Sequence, residues 1–170
     1  MFRIAATRTF RTLMQARTHR CVTTSPFTTF SRFNHTLAVK TRFTKDHEWL
    51  VVDNHGVATI GITDYAQKAL GDVVFVEVPI IGDTVKKNDH IGAIESVKAA
   101  SDIYTPVSGD IFLVNEKLTA EPSLINKSAE VEGWFVQIKM SNIEETDSKD
   151  LMDEDAYAAY CEKAKEENDA

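Results

Sequence analysis

Acidic residues are missing from the first 45 positions of this 170-residue chain, and arginine is missing from everything after Arg42. The overall net charge of −7 therefore hides two segments of opposite character. Residues 1–45 hold nine Lys and Arg, while residues 46–170 hold ten lysines against all 26 Asp and Glu. Cysteine is scarce too. Cys21 and Cys161 are the only two, which excludes a Cys-based metal site and leaves no internal disulfide if the first segment is removed. No run of 18 apolar residues is present, so no transmembrane helix is expected. There is no phosphate-binding Gly loop, no dinucleotide Gly fingerprint and no Gly-x-Ser-x-Gly elbow. His47, His55 and His90 do not pair at metal-ligand spacing, and His47-Glu48 lacks the second His of a zinc helix. No pair of acids stands out from the many others. A self-contained catalytic site and a metal site are therefore not expected. The acidic main segment argues against nucleic acid as a partner and points to docking on other proteins, where charge steers encounter.

What is present at the start is Arg3, Arg8, Arg11, Arg17, Arg20 and Arg32 among many Thr and Ser residues. Arg-rich, Ser-rich and acid-poor is the composition of a mitochondrial presequence. On a helix, Phe2, Ala6, Phe10 and Leu13 share one side while Arg8 and Arg11 point elsewhere. Residues 1–40 are expected to be a transit peptide directing the chain to the mitochondrial matrix, cleaved between about Phe30 and Lys40. The apolar run is too short for a secretory signal. A basic arm for nucleic acid or anionic lipid is the alternative, and such arms usually carry the Lys blocks absent here.

From Thr41 onward the pattern is mostly β. Trp49–Val52 and Val57–Ile60 read as strands joined by the turn Asp53-Asn54-His55-Gly56. Thr63 and Asp64 supply cap chemistry for a short helix stopped by Gly71. Residues 72–78 alternate, predicting Val74, Val76 and Val78 on one face and Val73, Phe75 and Glu77 on the other. His90 to Phe112 reads as short strands broken by turns, and Trp134–Ile138 as a final strand. The many short strands predict a small sandwich or barrel. After Ser141 the chain turns acidic and helical. Asp153 is placed to cap a helix running to Lys165, with Tyr157, Tyr160, Cys161 and Ala164 at core spacing. Trp49 and Trp134 read as core anchors, and Gly109 and Gly133 as turn residues.

Lys98 sits between two strand-like arms among small residues: Ser96, Val97, Ala99, Ala100 and Ser101. Such neighbours leave an amine accessible to a modifying enzyme, while a tight turn fixes its position and leaves the stem mobile. Composition and spacing alone also allow the plainer reading, an exposed lysine that is one solubilising charge among many.

The chain does, however, resemble a known family. Phe43-Thr44-Lys45-Asp46-His47-Glu48-Trp49, Gly61-Ile62-Thr63-Asp64-Tyr65-Ala66-Gln67, Leu70-Gly71-Asp72-Val73 and Ile94-Glu95-Ser96-Val97-Lys98-Ala99 occur in order. Pro106-Val107-Ser108-Gly109, Asn115-Glu116-Lys117-Leu118, Pro122-Ser123-Leu124-Ile125-Asn126 and Gly133-Trp134 come after them. Over residues 41–160 this set resembles the H-protein family of the glycine cleavage system. The resemblance implies a barrel-sandwich hybrid like that of lipoyl domains, with a lipoyl-binding domain over 41–141 and an acidic helical extension over 142–170. It also implies a lipoyl group amide-linked to Lys98. Biotin carriers frame their lysine with methionine, whereas here Val97 and Ala99 flank it.

The implied role is that of a non-catalytic carrier. It takes the aminomethyl group of glycine from a pyridoxal-phosphate glycine decarboxylase to a tetrahydrofolate-dependent aminomethyltransferase, and dihydrolipoamide dehydrogenase then reoxidises the arm. Lipoyl-attaching enzymes are implied as further partners. By resemblance, Glu48 and Asp102 are candidates to line an acidic cleft for the cationic cargo; ordinary surface acids are the alternative. A lipoyl-relay hub and an unmodified interaction module are the other readings of the whole chain. Two departures from the family pattern stand out: Val78-Pro79 replaces the frequent Leu-Pro, and Asn126-Lys127-Ser128-Ala129 lacks the proline common after that Asn.

Overall fold

Strands β1 (Lys40–Phe43), β2 (Glu48–Val52) and β3 (Val57–Ile62) form an antiparallel meander. Asp53 makes its second turn: the carboxylate accepts the His55 and Val57 N–H groups at 2.8 and 2.9 Å, the self-contained device by which Asp favours turns. This is a computed structural model, and it describes residues 40–168. The predicted leader helix and Cys21 lie outside the described residues.

Helix α1 (Asp64–Leu70) forms where expected. The Thr63 hydroxyl accepts the Ala66 N–H, and the Gly71 N–H donates to the Gln67 carbonyl. The chain continues through β4 (Val73–Glu77), β5 (Thr84–Val85), β6 (His90–Ser96), β7 (Ala100–Tyr104), β8 (Gly109–Val114) and β9 (Val136–Met140). A six-stranded sheet has the order β1-β2-β3-β9-β8-β5, and a three-stranded sheet the order β4-β6-β7. Leu50, Ile60, Ile111, Phe135 and Ile138 of the larger unit and Val76, Ile94 and Ile103 of the smaller sheet share one buried cluster. Apolar faces of two sheets closing on one core give the barrel-sandwich architecture.

The predicted alternation over residues 72–78 is corrected. Val73 and Val76 are buried, while Val74 and Phe75 are both exposed, at 55% and 48%. The register against β6 shifts between Val73 and Phe75; a bulge inserts one residue and reverses the facing of the residues beyond it. The last strand begins at Val136 rather than Trp134, and Trp134 is half-buried. Trp49 is buried as expected, its indole N–H donating to the Ala129 carbonyl at 3.3 Å. Gly109 is a strand residue rather than a turn residue: a Cβ there would lie 2.2 Å from the Lys139 carbonyl oxygen on β9. Two short helices, α2 (Lys117–Ala120) and α3 (Leu124–Ser128), were not anticipated. The segment without the family's proline forms the end of α3, closed by the Gly133 N–H on the Ser128 carbonyl at 2.7 Å.

Helix α4 (Glu154–Asn168) starts at the predicted Asp153 cap, whose carboxylate accepts the Ala156 N–H at 2.9 Å. Tyr157 and Cys161 are buried, and Tyr160 and Ala164 half-buried. The Tyr157 ring stacks on Phe43 with centroids 4.4 Å apart. Its hydroxyl sits 2.7 Å from Thr63 Oγ1 and 2.8 Å from His47 Nδ1. His47 adopts φ 68° and packs its ring beside Tyr65, at 4.6 Å between centroids.

Burial pushes the pKa of His47 below its ordinary 6.5, partly opposed by the neighbouring Asp46 charge. The folded chain thus binds this proton more weakly than the unfolded chain. The stability His47 contributes is fully present above pH 6.5 and is lost as pH falls from there through the folded value. Thermal unfolding between about pH 7.5 and 5.5 should lower Tm more in the wild type than in His47→Asn, a residue that tolerates positive φ. Equal losses would refute the assignment.

Candidate functional site

The β6–β7 hairpin pairs Ile94 with Ser101 and Glu95 with Ala100, leaving Val97, Lys98 and Ala99 near its tip. Ser96 closes the turn. Its N–H donates to the Ala99 carbonyl at 2.8 Å, and its hydroxyl accepts the Lys98 and Ala99 N–H groups at 3.1 and 3.0 Å. One side chain therefore satisfies the two amides that a tip of this kind leaves open. The Val97 N–H reaches outside the hairpin and donates to the Asp72 carbonyl at 3.1 Å, between α1 and β4.

Lys98 is exposed, and Val97, Ala99 and Ala100 around it are exposed as well. Its stem lies across Gly71. A Cβ on Gly71 would stand 3.3 Å from Lys98 Cε and 3.4 Å from Nζ. Gly71 adopts φ 80°, ψ −151°, a conformation L side chains rarely enter. Asn126 of α3 holds that corner from the other side. Its amide donates to the Gly71 carbonyl at 2.8 Å and to Gln67 Oε1 at 3.0 Å, and its carbonyl accepts the Val73 N–H at 2.9 Å.

The two candidate acids are placed differently. Glu48 is buried, at 2% exposure, and lines a cleft of about 130 Å³ with Thr44, Asn88, Tyr104, Thr105 and Asp150 among its walls. The Thr44 hydroxyl donates to its carboxylate, and the Tyr104 N–H approaches the other oxygen at 3.4 Å. Asp102 is exposed on β7 and is not among the residues lining that cleft. It lies 3.6 Å from His90 Nε2, with the Tyr104 hydroxyl donating at 3.5 Å. Tyr104 stands between the two acids, its backbone toward Glu48 and its hydroxyl toward Asp102. Among the described residues no cluster of three His, Cys, Asp or Glu could hold a metal ion, and no helix is long and apolar enough to cross a membrane.

Asn126 and Gly71, expected only as members of family motifs and, for Gly71, as a helix stop, meet here at the corner beneath Lys98. An Asn directly after Leu124-Ile125 was a usable signal, because a polar side chain beside buried apolar ones must find partners.

Burial pushes the Glu48 pKa above its ordinary 4.5, against the opposing bonds from Thr44 and the backbone amides. The folded chain binds this proton more tightly than the unfolded chain. Its contribution is present below pH 4.5 and is lost as pH rises from there through the folded value. Urea unfolding should show Glu48→Gln gaining stability relative to wild type as pH rises from about 4 to 7.5. A difference that stays constant with pH would reject the assignment.

The model of the glycine cleavage H-protein family matches residues 41–164. A glycine cleavage system H protein of Thermotoga maritima is 51% identical over 120 residues, covering 71% of this chain and 94% of the relative. One from Rhodospirillum rubrum is 50% identical over 121 residues, covering 71% and 94%. The crystal structure of a glycine cleavage system H protein from Mycobacterium marinum superposes with a TM-score of 0.64 at 32% identity, covering 71% of this chain and 94% of that one.

Proposed function

The chain belongs to the glycine cleavage H-protein family, and from that premise we propose that Lys98 is the residue on which it carries lipoate. The family role is that of the lipoyl carrier of the glycine cleavage system, with lipoate covalently attached to a lysine. The observation that carries the assignment to Lys98 is the geometry of its turn. The amine is exposed, its neighbours are small or exposed, and its backbone amide is fixed by Ser96.

Bound lipoate supplies a disulfide that can accept the aminomethyl group derived from glycine. The protein's own residues do the presenting. Amide formation at Lys98 Nζ removes its charge, and the Ser96 turn holds the root of the arm while the stem stays free to swing. A docked partner then meets the arm in an effectively intramolecular encounter. The chain itself turns nothing over in this reading. Chemistry belongs to a pyridoxal-phosphate glycine decarboxylase, a tetrahydrofolate-dependent aminomethyltransferase and dihydrolipoamide dehydrogenase, with lipoyl-attaching enzymes loading the lysine. Glu48 is the acid best placed to accept a hydrogen bond from a cationic cargo entering its cleft. Asp102 belongs to the outer face of β7 and acts there, through the surface charge that partners encounter.

We propose matrix localisation as well. Supporting it are the Arg-rich, acid-free composition of residues 1–45 and a family match that begins only at residue 41.

Intact-mass measurement and peptide mapping of protein from lipoate-replete cells should find one lipoyl group on Lys98 and none in Lys98→Arg. An unmodified Lys98 in the wild type would sink the carrier assignment. For localisation, residues 1–45 fused to a fluorescent reporter should enter the matrix, and the mature chain should begin between about residues 30 and 40. A reporter that stays diffuse in the cytosol would reject the leader reading.

A further inference from the structure

We infer that Asn126 is a positioning residue for the Lys98 turn, acting through the Gly71–Val73 corner; the inference rests on Lys98 being the attachment site. Asn126 commits its whole amide to one task. Two donated bonds and one accepted bond, at 2.8 to 3.0 Å, tie α3 to Gln67, Gly71 and Val73. Beyond the strand pairing of Val73 with Ser96 at the base of the hairpin tip, the corner so held meets the tip itself at two places. The Asp72 carbonyl accepts the Val97 N–H at 3.1 Å, and Gly71 forms the bed on which the Lys98 stem lies.

Asn126 is the side chain that meets both the Gly71 carbonyl and the Val73 N–H. The Asp72 carbonyl, whose oxygen faces the tip, shares one peptide plane with the Val73 N–H that Asn126 accepts, so that bond sets its direction. With that peptide held through Val73 and the preceding one through the Gly71 carbonyl, the Asp72 carbonyl has one orientation, and Val97 has a fixed partner. Without Asn126, the Gly71 carbonyl and Val73 N–H lose that side-chain partner, and a glycine corner has the widest conformational range of any residue. The tip would then keep its internal Ser96 bonds and the β4–β6 pairing at its base, but Val97 and Lys98 beyond that pairing would lose their fixed place on the corner. A modifying enzyme must bring Nζ into line with an activated acyl carbon, and small misplacements at that step slow reaction strongly.

The test compares Asn126→Ala and Asn126→Asp with wild type and with Val85→Ala, a core truncation on β5, the edge strand of the six-stranded sheet. Each full-length chain is given lipoate, ATP and a lipoate–protein ligase, and modification of Lys98 is followed by intact mass. Amide hydrogen exchange is read at Val97 and Val73. Asn126→Ala should lower the initial modification rate about tenfold and speed exchange at Val97 and Val73. Val85→Ala should lower Tm without changing either readout. If Asn126→Ala does not fold, Asn126→Asp serves, since it keeps the acceptor for Val73 and loses both donors; it should also slow modification. Wild-type rates with unchanged Val97 protection in a folded Asn126 variant would overturn the inference. Peptide mapping separates the two claims: wild-type modification at another lysine overturns the attachment site itself, whereas modification of Lys98 at full rate in the variants overturns only the positioning role.

Discussion

The hydrogen bond from the Val97 N–H to the Asp72 carbonyl, 3.1 Å long, is the constraint around which the presenting end of the domain is built. A lysine that enzymes must reach has to stand on an exposed tip, and the end of a hairpin is where a sheet frays most readily. Ser96 closes the tip on itself and pairs with Val73 at the end of the β4–β6 ladder, but the tip from Val97 to Ala99 extends beyond that pairing. The Val97 bond fixes it to the junction of α1 and β4, so that root and body move together. What must then be rigid is the junction, and the structure devotes to it a capped helix, a glycine at positive φ and three hydrogen bonds of the Asn126 side chain.

A second tie closes the other end. β1 meets the segment before α4 through paired bonds between Phe43 and Met152 at 2.9 and 2.8 Å, and α4 docks by stacking Tyr157 on Phe43. The residues just before that contact, Asp150 and Leu151, form part of the wall of the Glu48 cleft. The part of the acidic extension just before α4 thus forms a wall of the Glu48 cleft. Tyr157 connects the extension to the head of α1 through Thr63 and to the β1–β2 turn through His47. Aromatic burial supplies the adhesion here, and the polar tips of His47 and Tyr157 satisfy each other, as buried polar groups must.

Where the sequence was legible, a residue's chemistry was local. Asp53, Thr63, Gly71 and Asp153 each made the turn, cap or stop expected of them, because the bond partner lies within four residues. Legibility failed where the deciding contact was distant. Nothing in Val73-Val74-Phe75-Val76 marks the bulge against β6 that exposes two apolar residues in succession. Gly109 looked like a turn glycine because its true neighbour, the Lys139 carbonyl, belongs to a strand far along the chain. The short helices α2 and α3 have no side-chain cap bond at Glu116 or Ser123, so they offered no start signal. Lys98 shows the same divide. Its exposed turn was readable from small neighbours, its cargo only from the family resemblance, and its anchorage through Asn126 from neither.

Charge completes the account of why an ordinary lysine suffices. Strands β4, β6 and β7 contain no Lys or Arg, while Glu77, Glu95 and Asp102 all stand exposed along them. Lys98, at the tip joining β6 to β7, therefore sets a single ammonium at the end of an acidic face. That amine is a point positive charge beside an acidic face, the state in which the proposed role would have it loaded. In the proposed role, acylation would delete that charge and leave the acids of the face as the charge that partners meet there. Steering of this kind acts on encounter rates and weakens with ionic strength. A carrier needs no more from its surface than that, since its lysine has to be found, loaded and released rather than activated.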